Sequence, residues 1–255
     1  MRTDLLIRRE VNFRSLEGLR MKDGRRIRPG LLYRSGGLYL LSEEEKDLVR
    51  SFSLNTILDL RQPGVRRRKP DPDLGADYAV YDGKTAKGGD EIDFTPAGFG
   101  QTGQAAQKQY EQVLEYYVNM PFGYDAFHVM FDCLLANRAP FLIHCAKGKD
   151  RTGVAAMAVL IALGASEDVI LRDYLLTNLY RKEMIQARME EGRKLHPDDE
   201  GYLRLMFLRE GVTEEVGKAV LNSIRTRCGS TDRYMEMEYG WTKETIEHFR
   251  NLYLE

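Results

Sequence analysis

Residues 140–160 read PFLIHCAKGKDRTGVAAMAVL, and this stretch decides the fold. An apolar run at 141–144 precedes Cys145, and Arg151 opens a second segment that is apolar nearly all round. The first run has the length of a buried strand, while the second has the length of a central helix for which Gly164 fits the C-terminal cap. The stretch therefore predicts a strand, a tight loop and a buried helix in immediate succession.

Strand and helix candidates alternate in the rest of the chain, which is typical of a sheet covered by helices on both faces. Short apolar runs bounded by turn residues predict strands, and helical spacing of apolar residues or capping residues predicts helices. Ser42 and Glu45 form a capping-box pattern at the start of the first helix. The predicted strands are 31–33, 56–60, 78–81 and 141–144, and the predicted helices begin at 43 or cover 110–118, 127–134 and 154–163, with helical pieces from 166 to the end and Thr213 as an N-cap.

Composition favours one α/β domain over residues 1–255, since 43% of the residues are hydrophobic, 30% are charged and no Pro/Ser-rich linker divides the chain. The 38 basic and 39 acidic side chains nearly cancel, which argues against a nucleic-acid partner. No apolar run reaches the length of a membrane span or a secretory signal, so we expect no integral membrane association and a cytoplasmic location, with export by an unrecognised route left open. Cys133, Cys145 and Cys228 have neither disulfide-framework nor metal-ligand spacing.

Residues 144–153 have the features of a phosphate-binding loop. A loop that leads from a strand into a helix N-terminus points backbone N–H groups inward, where the helix dipole adds positive potential. This environment would stabilise Cys145 as a nucleophilic thiolate, and the planar guanidinium of Arg151 could hold two phosphate oxygens. We expect attack by Cys145 to give a cysteinyl phosphate that water then hydrolyses, without a metal or another cofactor.

The neighbouring residues of the loop have supporting roles in this interpretation. The Thr152 hydroxyl could donate to the Cys145 sulfur, and His144 could order the loop through its ring nitrogens. Ala146 and Gly148 would contribute loop backbone, with Gly148 supplying conformational freedom. Lys147 and Lys149 could contact further phosphates of the substrate or simply be solvated. Outside the loop, Asp59 and Arg61 form either catalytic support or an ion pair that braces the sheet edge.

Other phosphate- or thiol-handling motifs fit less well. A Walker A loop would need Ser or Thr after Gly148-Lys149, where this chain has Asp150. A sulfurtransferase loop has no reason to keep Arg151-Thr152. A non-catalytic phosphate-binding module would be expected to have a substituted Cys145 or Arg151, and neither is substituted.

The segment HCAKGKDRTG at 144–153 resembles the signature of the protein tyrosine phosphatases, in the version found in bacterial tyrosine/serine phosphatases with phosphoinositide activity. Further similarity lies at Asn12-Phe13-Arg14 through Gly18, although Ser15 and Glu17 depart from the family's pattern, and at Tyr33-Arg34-Ser35, Asp59-Leu60-Arg61 and residues 173–176. The resemblance implies one domain with a mostly parallel sheet of four or five strands and a helical lid. It also implies hydrolysis of phosphotyrosine, with phosphoserine, phosphothreonine and inositol lipid phosphates as further substrates.

The proton donor for the leaving group remains open between two aspartates. The usual Trp-Pro-Asp loop is missing, and in this family type the acid has been sought within the signature loop, which favours Asp150. Asp82 competes with it at the start of a glycine-rich segment, 82–104, that we expect to be a mobile loop. Residues 166–211 are the candidate lid, which would shield the thiolate from oxidation.

Two substrate classes remain open in the sequence. The resemblance favours phosphotyrosine in proteins, while the two loop lysines favour phosphoinositides or inositol phosphates. In either case the partners are a phosphorylated substrate and the phosphate product.

Overall fold

The computed structural model describes residues 6–79 and 100–255. One sheet contains five strands in the order β1-β2-β5-β3-β4. The first pair, β1 and β2, is antiparallel, and the other neighbours are parallel. The predicted α/β domain with a mostly parallel sheet is therefore confirmed. The strands are β1 (Arg14–Ser15), β2 (Leu32–Ser35), β3 (Thr56–Asp59), β4 (Asp77–Ala79) and β5 (Phe141–His144).

The described helices alternate with the strands up to β5 and then follow one another to the end of the chain. They are α1 (Glu43–Ser51), α2 (Pro63–Arg68), α3 (Gly103–Asn119), α4 (Asp125–Leu135), α5 (Arg151–Leu163), α6 (Glu167–Tyr180), α7 (Lys182–Leu195), α8 (Glu200–Glu210), α9 (Glu214–Cys228), α10 (Thr231–Tyr239) and α11 (Lys243–Tyr253), with short 3-10 turns at Arg9–Val11 and Leu38–Leu40. The capping box at the start of α1 and the N-cap at the start of α9 form as predicted.

The sheet is covered on both faces, as alternation along its inner strands requires. Ile57 and Leu142 pack into a smaller core on one face. Leu58 and Ile143, the next residues of the same strands, pack into a larger core on the other face. Because the side chains on both faces of β3 and β5 are buried, these strands appear in the sequence as continuous apolar runs.

Helix α5 lies at the centre of the larger core. Every residue from Thr152 to Leu163 is buried. Gly164 ends the helix with a φ of +87°, in the left-handed region that glycine adopts without steric cost. Among the described residues, no helix combines the length and the apolar character needed to cross a membrane.

The candidate lid at 166–211 comprises helices α6, α7 and α8. Helices α6 and α8 both contribute buried side chains to the larger core, Leu171 and Tyr174 from α6 and Leu205 and Met206 from α8. Helices α7 and α8 pack against each other, with a break at His196. A lid function of this segment stays a prediction.

Candidate active site

The phosphate-binding loop lies at the carboxyl edge of the parallel strands. Strand register aligns Ser35 and Asp59 with His144, the last residue of central strand β5. Cys145 follows at once, and α5 begins six residues later at Arg151. Open parallel sheets bind ligands outside this edge, so the topology places the predicted loop where a ligand site is expected.

The loop carbonyls are turned away from its concave side by hydrogen bonds to the protein body. Ala146 O accepts from Gly37 N at 3.1 Å. Asn12 Nδ2 donates to Lys147 O at 3.1 Å and to Gly148 O at 2.9 Å. Arg34 Nη2 also donates to Gly148 O, at 2.8 Å. Because the C=O of one residue and the N–H of the next point in opposite directions within a peptide unit, these contacts turn the N–H groups of Lys147, Gly148 and Lys149 toward the concave side of the loop.

The inward amides are available to an anion. Within the described part of the chain, the N–H groups of Lys147 and Gly148 donate to no backbone carbonyl. Successive free N–H groups at a helix N-terminus form a concavity that binds phosphate. The loop is therefore the candidate site for a phosphate group.

Gly148 is the residue that the loop geometry requires most strictly. Its φ is +68°, and a Cβ at this position would lie 2.6 Å from the carbonyl carbon of Ser35. A side chain would therefore be strained in its backbone conformation and would also collide with β2. Glycine is therefore required at position 148 for two reasons, the left-handed φ and the close approach of the loop backbone to the backbone of β2.

Cys145 and Arg151 lie at the two ends of the loop. Cys145 is buried, with 2% of its surface exposed. Arg151 is partly buried, and its Nη1 donates to Leu60 O at 2.7 Å, just beyond the end of β3. The Thr152 hydroxyl is buried and makes no hydrogen bond to any described residue, so the predicted donation to the Cys145 sulfur is not formed.

Asp150 is held from two sides. Its Oδ1 accepts a hydrogen bond from the Tyr117 hydroxyl on α3 and another from Lys149 Nζ, the latter at 2.5 Å. Burial and the neighbouring Asp150 carboxylate raise the pKa of Tyr117 well above its ordinary value, so this hydroxyl remains a donor. Asp150 also retains contact with solvent, since 14% of its side chain is exposed.

The two loop lysines point away from the phosphate cradle. Lys149 Nζ donates to Leu208 O at 2.7 Å as well as to Asp150. Lys147 Nζ donates to Arg209 O at 2.7 Å and to Glu210 Oε1 at 2.9 Å. Both ammonium groups are bound to the end of α8, so their contact with substrate phosphates stays a prediction that these hydrogen bonds do not favour.

Asp59 and Arg61 belong to a buried charged cluster behind the loop. The Arg61 guanidinium binds Asp59 at 2.7 Å, Asp71 at 2.6 Å and Lys69 O at 2.9 Å. Burial alone would raise the pKa of Asp59, but His144 and Arg61 together bring it below its ordinary value. These contacts agree with a brace at the sheet edge and leave neither side chain directed at substrate.

His144 is fully buried within this cluster. Its Nε2 lies 3.2 Å from Asp71 Oδ2 and 3.7 Å from Asp59 Oδ1. Neither ring nitrogen makes a well-aligned hydrogen bond to a described residue, so the predicted ordering of the loop through the ring is not seen. The contact is instead a close approach of the imidazole to two carboxylates.

The same three residues are the described group whose ligand atoms could surround a metal ion, since the donor atoms of Asp59, Asp71 and His144 lie within 4.8 Å of one another. Arg61 already bridges the two carboxylates and supplies the positive charge that a metal would bring. The donor set is therefore poorly suited to a cation.

A second buried charged group, which we call the loop brace, consists of Asn12, Arg14, Arg34 and Asp173. Asp173 binds Arg14 at 2.9 Å and Arg34 at 2.5 Å. Arg14 Nη1 donates to Asn12 Oδ1 at 2.6 Å, which orients the Asn12 amide toward the loop carbonyls. Complete burial lowers the pKa of Arg34 to about 10, against the opposing effect of Asp173, so Arg34 stays charged at neutral pH.

Several of these residues could not be assigned from the sequence. Tyr117 lies within the predicted helix 110–118, and no role was predicted for Glu210 or Asp71. Their roles depend on contacts between distant segments, for which a single sequence gives no signal. Asp82 and residues 82–99 of the predicted mobile loop lie outside the described residues, while α3 already begins at Gly103. Cys228 is buried.

Comparison with known proteins agrees with this geometry. A model described as the tyrosine phosphatase family matches residues 5–255. A protein of Cupriavidus necator named as a tyrosine-protein phosphatase is 28% identical over 234 residues, covering 92% of this chain and 83% of the relative. The triple specificity protein phosphatase PtpB of Mycobacterium tuberculosis is 29% identical over 258 residues, covering 89% of this chain and 92% of the relative. The chain belongs to the tyrosine phosphatase family and is a phosphatase.

Proposed function

We propose that the protein hydrolyses phosphotyrosine in protein substrates through a cysteinyl phosphate, with Cys145 as nucleophile and Arg151 as phosphate ligand. The observation that carries the proposal is the orientation of the loop. The carbonyls of Ala146, Lys147 and Gly148 are bound by Gly37, Asn12 and Arg34, which supports a concave loop whose N–H groups could bind a phosphoryl group. Such preorganised donors stabilise the charge of a transferring phosphoryl group.

The first step is an in-line attack of the Cys145 thiolate on phosphorus. The S–P bond forms as the bond from phosphorus to the phenolic oxygen breaks, and the leaving oxygen takes the proton of Asp150. In the second step, water attacks phosphorus and gives its proton to the Asp150 carboxylate, and the S–P bond breaks to restore the thiolate. Arg151 would hold two equatorial oxygens in both steps.

Asp150 is preferred as the acid because its place is fixed by the loop that holds the phosphate. Tyr117 and Lys149 both contact Oδ1, which fixes the orientation of the carboxyl group relative to the loop. Asp82 is the competing acid. Replacing each by Asn separates them, since only loss of the true acid should affect substrates with basic leaving groups more than those with acidic ones.

A broader substrate range has weaker support. The triple specificity named for the mycobacterial relative supports activity on phosphoserine and phosphothreonine. Inositol phosphates were favoured by the two loop lysines, but both ammonium groups are bound to α8. Phosphotyrosine is therefore the preferred substrate in this proposal.

Hydrolysis of p-nitrophenyl phosphate by the wild type and by Cys145→Ser, with vanadate as inhibitor, tests the mechanism. We expect turnover that vanadate inhibits and that the substitution abolishes. A side-by-side assay on phosphotyrosine peptides and phosphatidylinositol phosphates tests the substrate class. Strong lipid turnover with negligible peptide turnover would reject the phosphotyrosine assignment.

A further inference from the structure

The last turn of α8 is held by cations from the phosphate loop and from the start of α7. Three successive carbonyls each accept from a different side chain. Leu208 O accepts from Lys149 Nζ at 2.7 Å, Arg209 O from Lys147 Nζ at 2.7 Å, and Glu210 O from Arg181 Nε at 3.0 Å. The final carbonyls of a helix have no partner within the helix and carry negative partial charge, so cations stabilise this end.

The carboxylate of Glu210 reinforces the same junction. It accepts from Lys147 Nζ at 2.9 Å and from the Arg181 guanidinium, and only 10% of its side chain is exposed. Removing one partner from so enclosed a group leaves a charge poorly compensated. We call Lys147, Arg181 and Glu210 the α8 clamp.

Lys149 contacts both the end of α8 and Asp150, the proposed acid. One ammonium group donates both to Leu208 O and to Asp150 Oδ1. The Lys149 side chain is 1% exposed, so this ammonium group has little freedom to find other partners. A shift of the α8 terminus would therefore move Lys149 Nζ and, with it, the Asp150 carboxyl group.

We propose that Lys147 and Glu210 are positioning residues that fix the end of α8 on the phosphate loop, so that Lys149 holds Asp150 in place for proton transfer. The inference rests on the proposed function in assigning Asp150 as the acid. It adds that Lys147, although part of the phosphate loop, binds the end of α8 and does not bind the phosphate. It also predicts that the placement of α8 and the chemical step are coupled.

The kinetic signature of this role is its dependence on the leaving group. An acidic phenol departs without a proton, whereas a basic phenol needs one, so displacement of the acid should slow esters of basic phenols more. A clamp that merely stabilised the fold would reduce the rates for all esters by the same factor. A series of aryl phosphates of graded phenol acidity distinguishes the two roles.

The test compares five variants of the full-length protein on that series. Lys147→Met and Glu210→Gln break the clamp, and Lys147→Arg can still donate to both α8 acceptors. Arg204→Met is the matched control, because Arg204 also attaches α8 to the body, through Glu215 and the ring of Tyr110, but touches neither the loop nor Asp150. Asp150→Asn supplies the pattern expected when the acid itself is lost.

We expect Lys147→Met to reduce kcat/KM about tenfold for phenyl phosphate, a fraction of the effect of a complete general acid, and clearly less for an activated ester. Lys147→Arg should recover most of that loss, and Arg204→Met should affect all esters equally. If Lys147→Met does not fold, the near-isosteric Glu210→Gln is decisive. Equal losses across the series in the clamp variants would overturn the proposal.

Failures of the two proposals remain distinguishable. Turnover that survives Cys145→Ser rejects the cysteinyl phosphate mechanism. An unchanged leaving-group dependence in Asp150→Asn rejects Asp150 as the acid and the positioning role with it. If the dependence of kcat/KM on leaving-group acidity becomes steeper in Asp150→Asn but in neither clamp variant, the positioning role of the clamp alone is rejected.

Discussion

The loop brace and the α8 clamp hold the same phosphate loop with different chemistry. In the brace, the side chains of Arg14, Arg34 and Asp173 are at most 4% exposed, and both cations are arginines. In the clamp, the Lys147 side chain is 31% exposed, and burial, opposed by Glu210, lowers its pKa to about 8. The comparison suggests that the brace fixes the loop permanently, whereas the clamp depends on a cation that titrates near physiological pH.

Breaking the brace should have the largest effect. Asp173→Asn leaves two buried arginines with an uncharged partner, and we expect a loss of about 3–5 kcal/mol in the free energy of unfolding. Urea unfolding measures this loss. The control is Glu214→Gln, which disrupts an exposed α9 pair in which both side chains are more than half exposed and should change stability by less than about 0.5 kcal/mol. Similar losses in both proteins would show that the brace does not support the fold as argued.

A substitution at Gly148 should disrupt the phosphate loop directly. Gly148→Ala combines a left-handed φ with a clash against β2, and we expect loss of most activity and about 2–4 kcal/mol of stability. Gly18→Ala measures the cost of the left-handed backbone conformation without a clash, because Gly18 has a φ of +71° and no atom lies within 4 Å of the position of its Cβ. That control should cost about 1 kcal/mol and leave activity high. Equal effects at the two glycines would contradict the close approach to β2.

The contact of Tyr117 with Asp150 should have a smaller effect. Tyr117→Phe removes one donor while Lys149 remains, so we expect kcat to fall about fivefold, equivalent to one ordinary hydrogen bond. Measurements of kcat with an aryl phosphate check this, with Tyr116→Phe on the adjacent helix position as control. An unchanged kcat would remove Tyr117 from the site.

The smallest effect should be a pH-dependent stability from the clamp. The ordinary pKa of 10.5 for lysine falls to about 8 at Lys147, which faces Glu210, Lys149 and Arg181. Between these values the unfolded chain binds the proton more strongly, so the stability of the wild type should rise with pH relative to Lys147→Met. Below about pH 8 both states hold the proton, and the difference should be constant. Thermal unfolding of both proteins from pH 7 to 10.5 tests this, and a difference that falls with pH would contradict the lowered pKa.

The fold followed from patterns that local physics controls. The run 141–144, the loop after it and the buried helix through Leu163 were predicted from residue order alone, because each element has its own apolar period and its own caps. The lid at residues 166–211 stays a prediction, but the packing of its helices could not be predicted. Burial of α6 and α8 in the larger core is decided by tertiary packing, which a single sequence does not reveal.

The site was predictable only where backbone geometry determines it. The placement of Cys145, Gly148 and Arg151 in one loop was predictable because a strand-loop-helix transition fixes their relative positions. The partners of the two loop lysines were not predictable, because a basic residue in such a loop favours phosphate binding, whereas here both ammonium groups bind the end of α8. The acceptors on α8 lie about 60 residues further along the chain, since the sequence separations are 59, 62 and 63 residues.

The central claim is that Cys145 carries the phosphoryl group between the two chemical steps. Rapid quenching of the enzyme in acid during turnover of a phosphate-labelled aryl ester, followed by peptide mapping, tests it directly. We expect label on the peptide that contains Cys145 in the wild type, and none in Cys145→Ser. Turnover without label on that peptide, or label that persists in the variant, would contradict the account.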